Sequence, residues 1–410
     1  MTYEELLKVE TRRAFLRDCG AGMGTIALAH LLGVERRLAA GSRDNPLAPK
    51  APHFAPKAKN VIFLFMEGGP SQIDLFDPKP ALQKWHGKPL PESMTKDLQL
   101  AFIKPTAAVL GSPRAFKASG QCGTEFSDWL PHTASCADDI CLVRSMYTEA
   151  FNHHPGQLLL FTGSTQFGRP TLGAWVVYGL GSESQNLPGF VVLTSGVGTS
   201  GGASNFSSGF LPSTYQGVLF RNAGDPILYL SNPAGVTRES QRAVLDAVRD
   251  LNEERQAATG DLEIASRIAS YELAFRMQMA GPELLDFSKE PAAVLDMYGV
   301  NKEPTRPFAT NCLLARRLVE RGVRFVMLMH ASWDDHTYLN RNLKKNCETT
   351  DQPADALIKD LKQRGLLGET LIVWGGEFGR TPMAELRKPE EADNAGRDHH
   401  PAAYSMWLAG

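Results

Sequence analysis

Four short stretches of the sequence combine the residue types that hold divalent cations. They are 67–74, with Glu67 and Asp74; the triplet Asp334-Asp335-His336; Glu377; and Asp398-His399-His400. Carboxylate oxygens and neutral imidazole nitrogens suit zinc, manganese, calcium or magnesium, and a mixed oxygen and nitrogen set favours the transition metals over calcium. Each stretch follows an apolar run that reads as a strand. Loops leaving the carboxyl ends of neighbouring parallel strands meet in one crevice however far apart they lie in sequence. One divalent-metal site shared among these stretches is therefore expected.

The elements that must position these residues follow from periodicity and punctuation. Asn60-Val61-Ile62-Phe63-Leu64-Phe65-Met66 is a continuous apolar run, which suits a central strand covered on both faces. Glu67-Gly68-Gly69-Pro70-Ser71-Gln72 follows at once, and two glycines let the backbone turn sharply and approach a ligand closely. In the last third, a helix over about 308–321 ends at Gly322, a strand covers 324–329, and Ser332-Trp333-Asp334-Asp335-His336 comes next. The pattern repeats with a helix over about 351–364, Gly365, a strand over 370–374, and Gly375-Gly376-Glu377-Phe378-Gly379-Arg380-Thr381. An Asp-x-His triplet presents one carboxylate and one imidazole on the same side of an extended turn.

Earlier in the chain, a short apolar strand over 140–143 leads to a helix that starts near Pro155, since proline suits a first helical position. Asn152, His153 and His154 then sit at the helix amino end, where free amides and the helix dipole attract an anion such as phosphate or sulfate. A catalytic group belongs there. The alternative is that the two adjacent histidines, which cannot point the same way, cap the helix and pack locally. Residues 196–307 read as an insertion: a Gly- and Ser-rich loop over the crevice at 196–209, then a helical cover over about 238–279.

With 410 residues, 43% hydrophobic content and a net charge of −2, the chain can form one large α/β domain with insertions, or two domains. The near-neutral charge argues against a nucleic-acid surface, and the short basic pairs Arg316-Arg317 and Lys344-Lys345 read as solvated helix faces. Thr11-Arg12-Arg13-Ala14-Phe15-Leu16, placed before a mildly apolar stretch over 20–33, has the layout of a twin-arginine export signal. That stretch is too short to span a bilayer stably. Residues 1–40 are expected to be the signal, cleaved near Ala39-Ala40, and 41–58 a linker to a domain over 59–410. The mature chain then carries no stable membrane span, meets the twin-arginine translocase during export, and is periplasmic or secreted. Cleavage would remove Cys19 and leave Cys122, Cys136, Cys141, Cys312 and Cys347, an odd set without CxxC spacing, so neither a disulfide framework nor a zinc ribbon is indicated. Cys136 and Cys141 read as small buried thiols.

The longer motifs carry a resemblance. The first strand with Gly68-Gly69-Pro70-Ser71-Gln72 and Asp74-x-Phe76-Asp77-Pro78-Lys79-Pro80, then Trp333-Asp334-x-His336, Gly376-Glu377-Phe378-Gly379-Arg380-Thr381-Pro382 and Gly396-Arg397-Asp398-His399-His400-Pro401, look like the exported bacterial proteins of domain-of-unknown-function family 1501. The resemblance runs from the signal to the last residue. That family is similar to the alkaline phosphatase and sulfatase superfamily. The likeness implies an α/β fold with a mostly parallel central sheet flanked by helices, one or two divalent metal ions, and cleavage of phosphate or sulfate esters. By that comparison Glu67, Asp334, His336, Glu377 and His399 map as ligands, with Asp74 and Asp398 as further candidates. Asn152, His153 and His154 occupy the catalytic position, and Arg380, Arg397 and Ser71 are the candidates to hold an anionic substrate.

Two departures bear on mechanism. Phe161-Thr162-Gly163 is similar to the Leu-Thr-Gly of sulfatases, but His153-His154-Pro155-Gly156-Gln157 stands where they have Cys-x-Pro-Ser-Arg. Either a histidine acts there, or a metal-activated water attacks, or hydrolysis has been lost; zinc lowers the pKa of water to about 7, so the second route is sufficient. The sequence also ends at Met406-Trp407-Leu408-Ala409-Gly410, within an apolar strand where the family continues, so the domain is expected to be incomplete. The expectation is an exported metal-dependent hydrolase of sulfate or phosphate esters, acting on an anionic small-molecule or glycan ester. The alternative is a non-catalytic metal-containing binding protein for an anionic glycan or another cell-envelope component.

Overall fold

β1 (Asn60–Glu67) is buried almost throughout, as its unbroken apolar run predicts. In the computed structural model, which describes residues 45–96, 100–197, 199–221, 226–227, 230–386 and 394–410, it is the middle strand of a seven-stranded sheet. The expected export signal and the first residues of the linker lie outside the described residues. Ile62, Leu64 and Met66 pack on one side of β1, and Phe63 and Phe65 on the other, so its alternating side chains feed two apolar layers. Phe161 meets Phe65 edge-on at 4.9 Å and Phe63 at 5.7 Å, which seats the helix His153–Thr162 on the second face.

β2 (Phe116–Ser119) and β3 (Thr124–Ser127) form a hairpin of their own. β4 (Cys141–Met146), β5 (Phe190–Gly196), β6 (Val218–Phe220), β7 (Phe325–Ala331), β8 (Thr370–Gly375) and β11 (Tyr404–Ala409) join β1 in the order β4-β11-β8-β1-β7-β5-β6. Neighbours from β8 through β1, β7 and β5 to β6 run parallel, while β11 is antiparallel to β8 and to β4. The fold is thus α/β, with a mostly parallel central sheet flanked by helices. β9 (Gly379–Glu385) and β10 (Gly396–His400) form an antiparallel ribbon after β8.

The structure corrects several sequence expectations. The helix expected over 351–364 runs over Leu339–Gln363 and carries Pro353 inside it. Its first half is polar in sequence but buries Leu343, Asn346, Cys347 and Thr350, so tertiary packing rather than an apolar stripe defines it. The single helical cover divides into Arg238–Thr259 and Leu262–Leu285, because Gly260 takes a left-handed conformation and Asp261 caps the next helix. The insertion also contributes β6, which adds an edge to the main sheet. Cys141 is exposed rather than buried, since β4 is the opposite edge strand.

Candidate metal centre

The loops after β1 and β7 meet backbone to backbone. Gly68 and Gly69 have φ of 116° and 76°, and a Cβ at position 68 would lie 2.4 Å from the Asp334 amide nitrogen. Only glycine allows that approach. Trp333 N donates to Glu67 O at 3.1 Å, which joins the two loops directly. Arg380, wholly buried, clamps the junction. Its Nε donates to Gly69 O at 2.9 Å, Nη1 to Arg397 O at 2.9 Å, and Nη2 to Gly68 O, to Trp333 O at 3.2 Å and to Asp334 Oδ1 at 2.6 Å.

Three imidazoles converge on the same Asp334 oxygen. His336 Nε2 is 2.9 Å from Asp334 Oδ1, His153 Nε2 3.2 Å and His399 Nε2 3.3 Å, and His336 Nε2 and His399 Nε2 are 3.0 Å apart. Each ring is held by an acceptor on its other nitrogen. His153 Nδ1 donates to Glu377 Oε1 at 2.7 Å, His336 Nδ1 to the Glu385 carboxylate, and His399 Nδ1 to the Phe151 carbonyl at 2.7 Å. Carbonyl and carboxylate oxygens only accept, so each Nδ1 carries the proton and, in the neutral ring, each Nε2 turns a lone pair to the centre. Four acceptor atoms then face one another, and a cation among them removes the repulsion.

The charges agree with that geometry. Burial pushes Asp334 up, but the three imidazoles and then Arg380 outweigh it and hold the carboxyl far below the usual range. Burial opposes a proton on His153, yet Asp334 and Glu377 raise it to about 9; His336 rises in the same way under Asp334 and Glu385. His399 is lowered, by burial and by the positive Arg380, His153 and His336 around it. The cluster draws positive charge onto itself. Three imidazole nitrogens and one carboxylate oxygen, each imidazole oriented by an outer acceptor, fit a divalent ion such as zinc.

The remaining sequence candidates take other places. Glu377 is not among the converging atoms: it is buried and accepts from His153 Nδ1 and from Gly68 N at 3.1 and 3.2 Å, and so orients the His153 ring. Glu67 lines the cleft beside the cluster, with Oε1 accepting from Ser200 N at 2.6 Å and Oε2 buried without a partner. Asp74 and Arg397 are brought together but away from the centre, in a buried ion pair of 2.9 Å that Ser71 Oγ joins through Asp74. Arg397 holds Asp74 below the usual carboxylate range against the opposing effect of burial. Arg397, Arg380 and Ser71 are therefore committed within the protein and do not offer their polar groups to a substrate. Asp398 Oδ2 is taken by the amides of Ala101, Phe102 and Ile103, and Asp398 also joins His336 and Glu385 in a second buried group whose ligand atoms lie within 4.8 Å of one another. At the helix amino end, Asn152 accepts from His153 N as the cap, and His154 turns away to Ser204 Oγ at 3.1 Å and to the Phe167 ring.

Sequence reasoning missed Glu385 and the Phe151 carbonyl. Glu385 stands at the end of β9 opposite Gly396, a pairing that no local spacing announces, and a backbone carbonyl has no residue signature at all. The centre opens on a cleft of about 360 Å³ lined by Glu67, Gly68, His153, Ser200, Asp334 and Lys345 among others. Asp335, also in its wall, is pushed up to about 7 by burial.

A family model described as a protein of unknown function (DUF1501) matches residues 58–410. The chain belongs to the DUF1501 family. No curated protein sequence matches this member of the family. Solved structures similar to it include the alkaline phosphatase of the Antarctic bacterium TAB5, at 11% identity over 87% of this chain and 92% of that chain with a TM-score of 0.30. Two mutants of the TAB5 enzyme with Mg bound in the M3 site match over 86% of this chain and 91% of theirs, each at 11% identity, with TM-scores of 0.35 and 0.33. Such distant likeness transfers no chemistry to the family member described here.

Proposed function

We propose that this chain is an exported metal-dependent hydrolase of sulfate or phosphate esters. The observation that carries the reading is the meeting of His153, His336 and His399 Nε2 with Asp334 Oδ1 at the mouth of a cleft, beyond the carboxyl ends of β1, β7 and β8. These four groups would hold a divalent ion, which would supply Lewis acidity and, as zinc, would lower the pKa of water to about 7. The chain's own residues do the rest. Glu377, Glu385 and the Phe151 carbonyl fix the three rings, and Arg380 fixes Asp334. Glu67 Oε2, buried and without a partner, offers an acceptor for a proton released in the cleft. Lys345, exposed and the one lysine or arginine among the described lining residues, balances the anion of the ester.

Elemental mass spectrometry of the purified protein tests the reading, with Asp334→Ala/His336→Ala as the comparison. One divalent ion per chain, lost in the double variant, together with hydrolysis of an aryl sulfate or aryl phosphate by the loaded protein, is expected. Stoichiometric metal without turnover of either ester would favour the second reading, a metal-containing protein that binds an anionic glycan or envelope component. The observation on that side is the helix amino end, where a cap and an outward-turned histidine stand in place of a hydroxyl or thiol. Export is part of the same proposal and rests on Arg12-Arg13 before Phe15-Leu16. Substitution of Lys for both arginines is expected to leave the protein in the cytoplasm, as read by cell fractionation.

A further inference from the structure

Asp398 is wholly buried, and its carboxylate is spent on backbone. Oδ2 accepts from the successive amides of Ala101 at 2.8 Å, Phe102 at 2.9 Å and Ile103 at 3.3 Å, while Oδ1 accepts from His399 N at 2.8 Å. Three consecutive N–H groups on one buried anion pin that loop firmly. What the pin holds in place is the Phe102 ring. Its centroid lies 5.0 Å from His336 at an interplanar angle of 87°, and 5.7 Å from His399 at 76°. Phe102 nevertheless remains 65% exposed. Set steeply against both imidazoles yet largely open to solvent, the ring leaves apolar surface available beside them and most of the phenylalanine's burial energy unrealised.

We propose that Phe102 is a substrate platform, so that the centre prefers esters whose alcohol portion carries a flat apolar ring over those of small aliphatic alcohols. The proposal rests on the hydrolase reading for the anion and adds the group attached to it. Asp398 acts as a positioning residue: it carries the loop from the same β10 that supplies His399, so the platform and the ligand keep a fixed relation. The ring contributes binding alone, since it bears no proton to transfer.

Phenylphosphonate and methylphosphonate present the same anion and differ in the ring, so their ratio of affinities isolates the platform from the metal. Calorimetric titration of zinc-loaded wild type is expected to show about tenfold tighter binding of phenylphosphonate. The preference is expected to vanish in Phe102→Ala and to survive in Phe102→Tyr, with zinc content unchanged in both. Equal affinities in wild type, or a preference that persists in Phe102→Ala, would overturn the platform. If neither phosphonate binds, the platform and the anion site fall together. A ring preference abolished by Phe102→Ala in a protein that hydrolyses no ester supports the platform and removes only the hydrolase reading.

Discussion

Replacing Glu377 by glutamine tests whether an acceptor outside the cluster governs metal affinity. Glu377 is buried and receives donors from three directions: His153 Nδ1 at 2.7 Å, Gly68 N at 3.1 and 3.2 Å, and Gln157 Nε2 at 3.4 Å. Glutamine keeps the shape, and its one oxygen can still accept from His153, but the carboxylate's charge on that bond is lost and its NH2 must face the Gly68 N–H in a buried site. Loss of such an orienting partner lowers metal affinity by about 10 to 100-fold, or about 1.4–2.7 kcal/mol. A second effect opposes the first. His153 is held up to about 9 in part by Glu377, so at pH 7 an incoming ion must displace a proton at a cost of about 2 to 3 kcal/mol. Glutamine relieves part of that cost, and at pH 7 the two effects offset each other. Near pH 9.5 most of the His153 population is neutral in either protein, and the orientation loss is read nearly alone. The assay is competition for zinc against a chelator of known affinity at both pH values, with urea unfolding of the metal-free proteins as a control for folding. Weaker zinc binding by the variant, more pronounced at pH 9.5 than at pH 7, is expected. Equal affinity at pH 9.5 in a folded variant would refute the assignment of Glu377 as the group that orients His153.

Loading the wild type with zinc at pH 7 should release about one proton from His153, because a ligating nitrogen must be bare; titrations in buffers of different ionisation enthalpy measure it, and an absence of buffer dependence would show that His153 is not protonated at pH 7 as its carboxylate partners require. Gly68→Ala combines a φ of 116° with a Cβ 2.4 Å from the Asp334 amide nitrogen, and should destabilise the fold by about 3 kcal/mol or more in urea unfolding; a change below 1 kcal/mol, on the order of ordinary surface substitutions, would mean that the two loops separate easily. Lys345→Ala should raise KM for an anionic ester about tenfold with kcat little changed, and an unaltered KM would remove Lys345 from anion binding. His330 is buried in β7, with Nδ1 against Ser195 Oγ at 2.9 Å, and burial lowers it to about 4. The unfolded chain then binds more protons than the native one between about pH 4 and 6.5, so this group's contribution is full above that window and lost as pH falls through it. From pH 7 to pH 5 the loss is about 2 kcal/mol, and His330→Gln should lack that part of the pH dependence in urea unfolding; parallel curves would show that His330 does not titrate as assigned.

The parallel strands and the acidic loops were legible because each signal is local. An apolar run followed by Gly-Gly, or a helix ended by glycine and succeeded by a strand, is complete within a dozen residues, as at 60–69 and 306–336. Asp334, His336 and His399 could be singled out by residue type, and the structure does bring them together. Their division from Glu377, Asp74 and Asp398 could not, because a carboxylate that faces three imidazoles and one that holds a single histidine, a guanidinium or a loop are the same residue in sequence. What separates them is the partner: a ring nitrogen for Glu377, a guanidinium for Asp74, three amides for Asp398. The two arginines are ambiguous in sequence for the same reason. An arginine beside a motif reads as an anion clamp, whereas the Arg380 fork is filled by carbonyls and by Asp334. The first turns of the long helix Leu339–Gln363 escape a sequence reading because they are buried through polar side chains, against the pattern by which a helix is recognised.

The Arg380 clamp also sets the order in which this centre can come into being. Its side chain ties Gly68 and Gly69, which lie 312 and 311 residues earlier in the chain, to Trp333, Asp334 and Arg397. Contacts of such sequence separation form late, after the loop-closure entropy of the intervening chain has been met. The strand β1 and its glycine turn can fold early, but Asp334 is not locked in place until the ribbon of β9 and β10 docks. A partly folded chain therefore lacks the rigid four-atom pocket, and metal captured by loose histidines earlier would be held weakly and exchanged. On the proposed metal-binding reading, selectivity for one ion is thereby deferred to the last stage of folding, when one arginine ties two loops to β10.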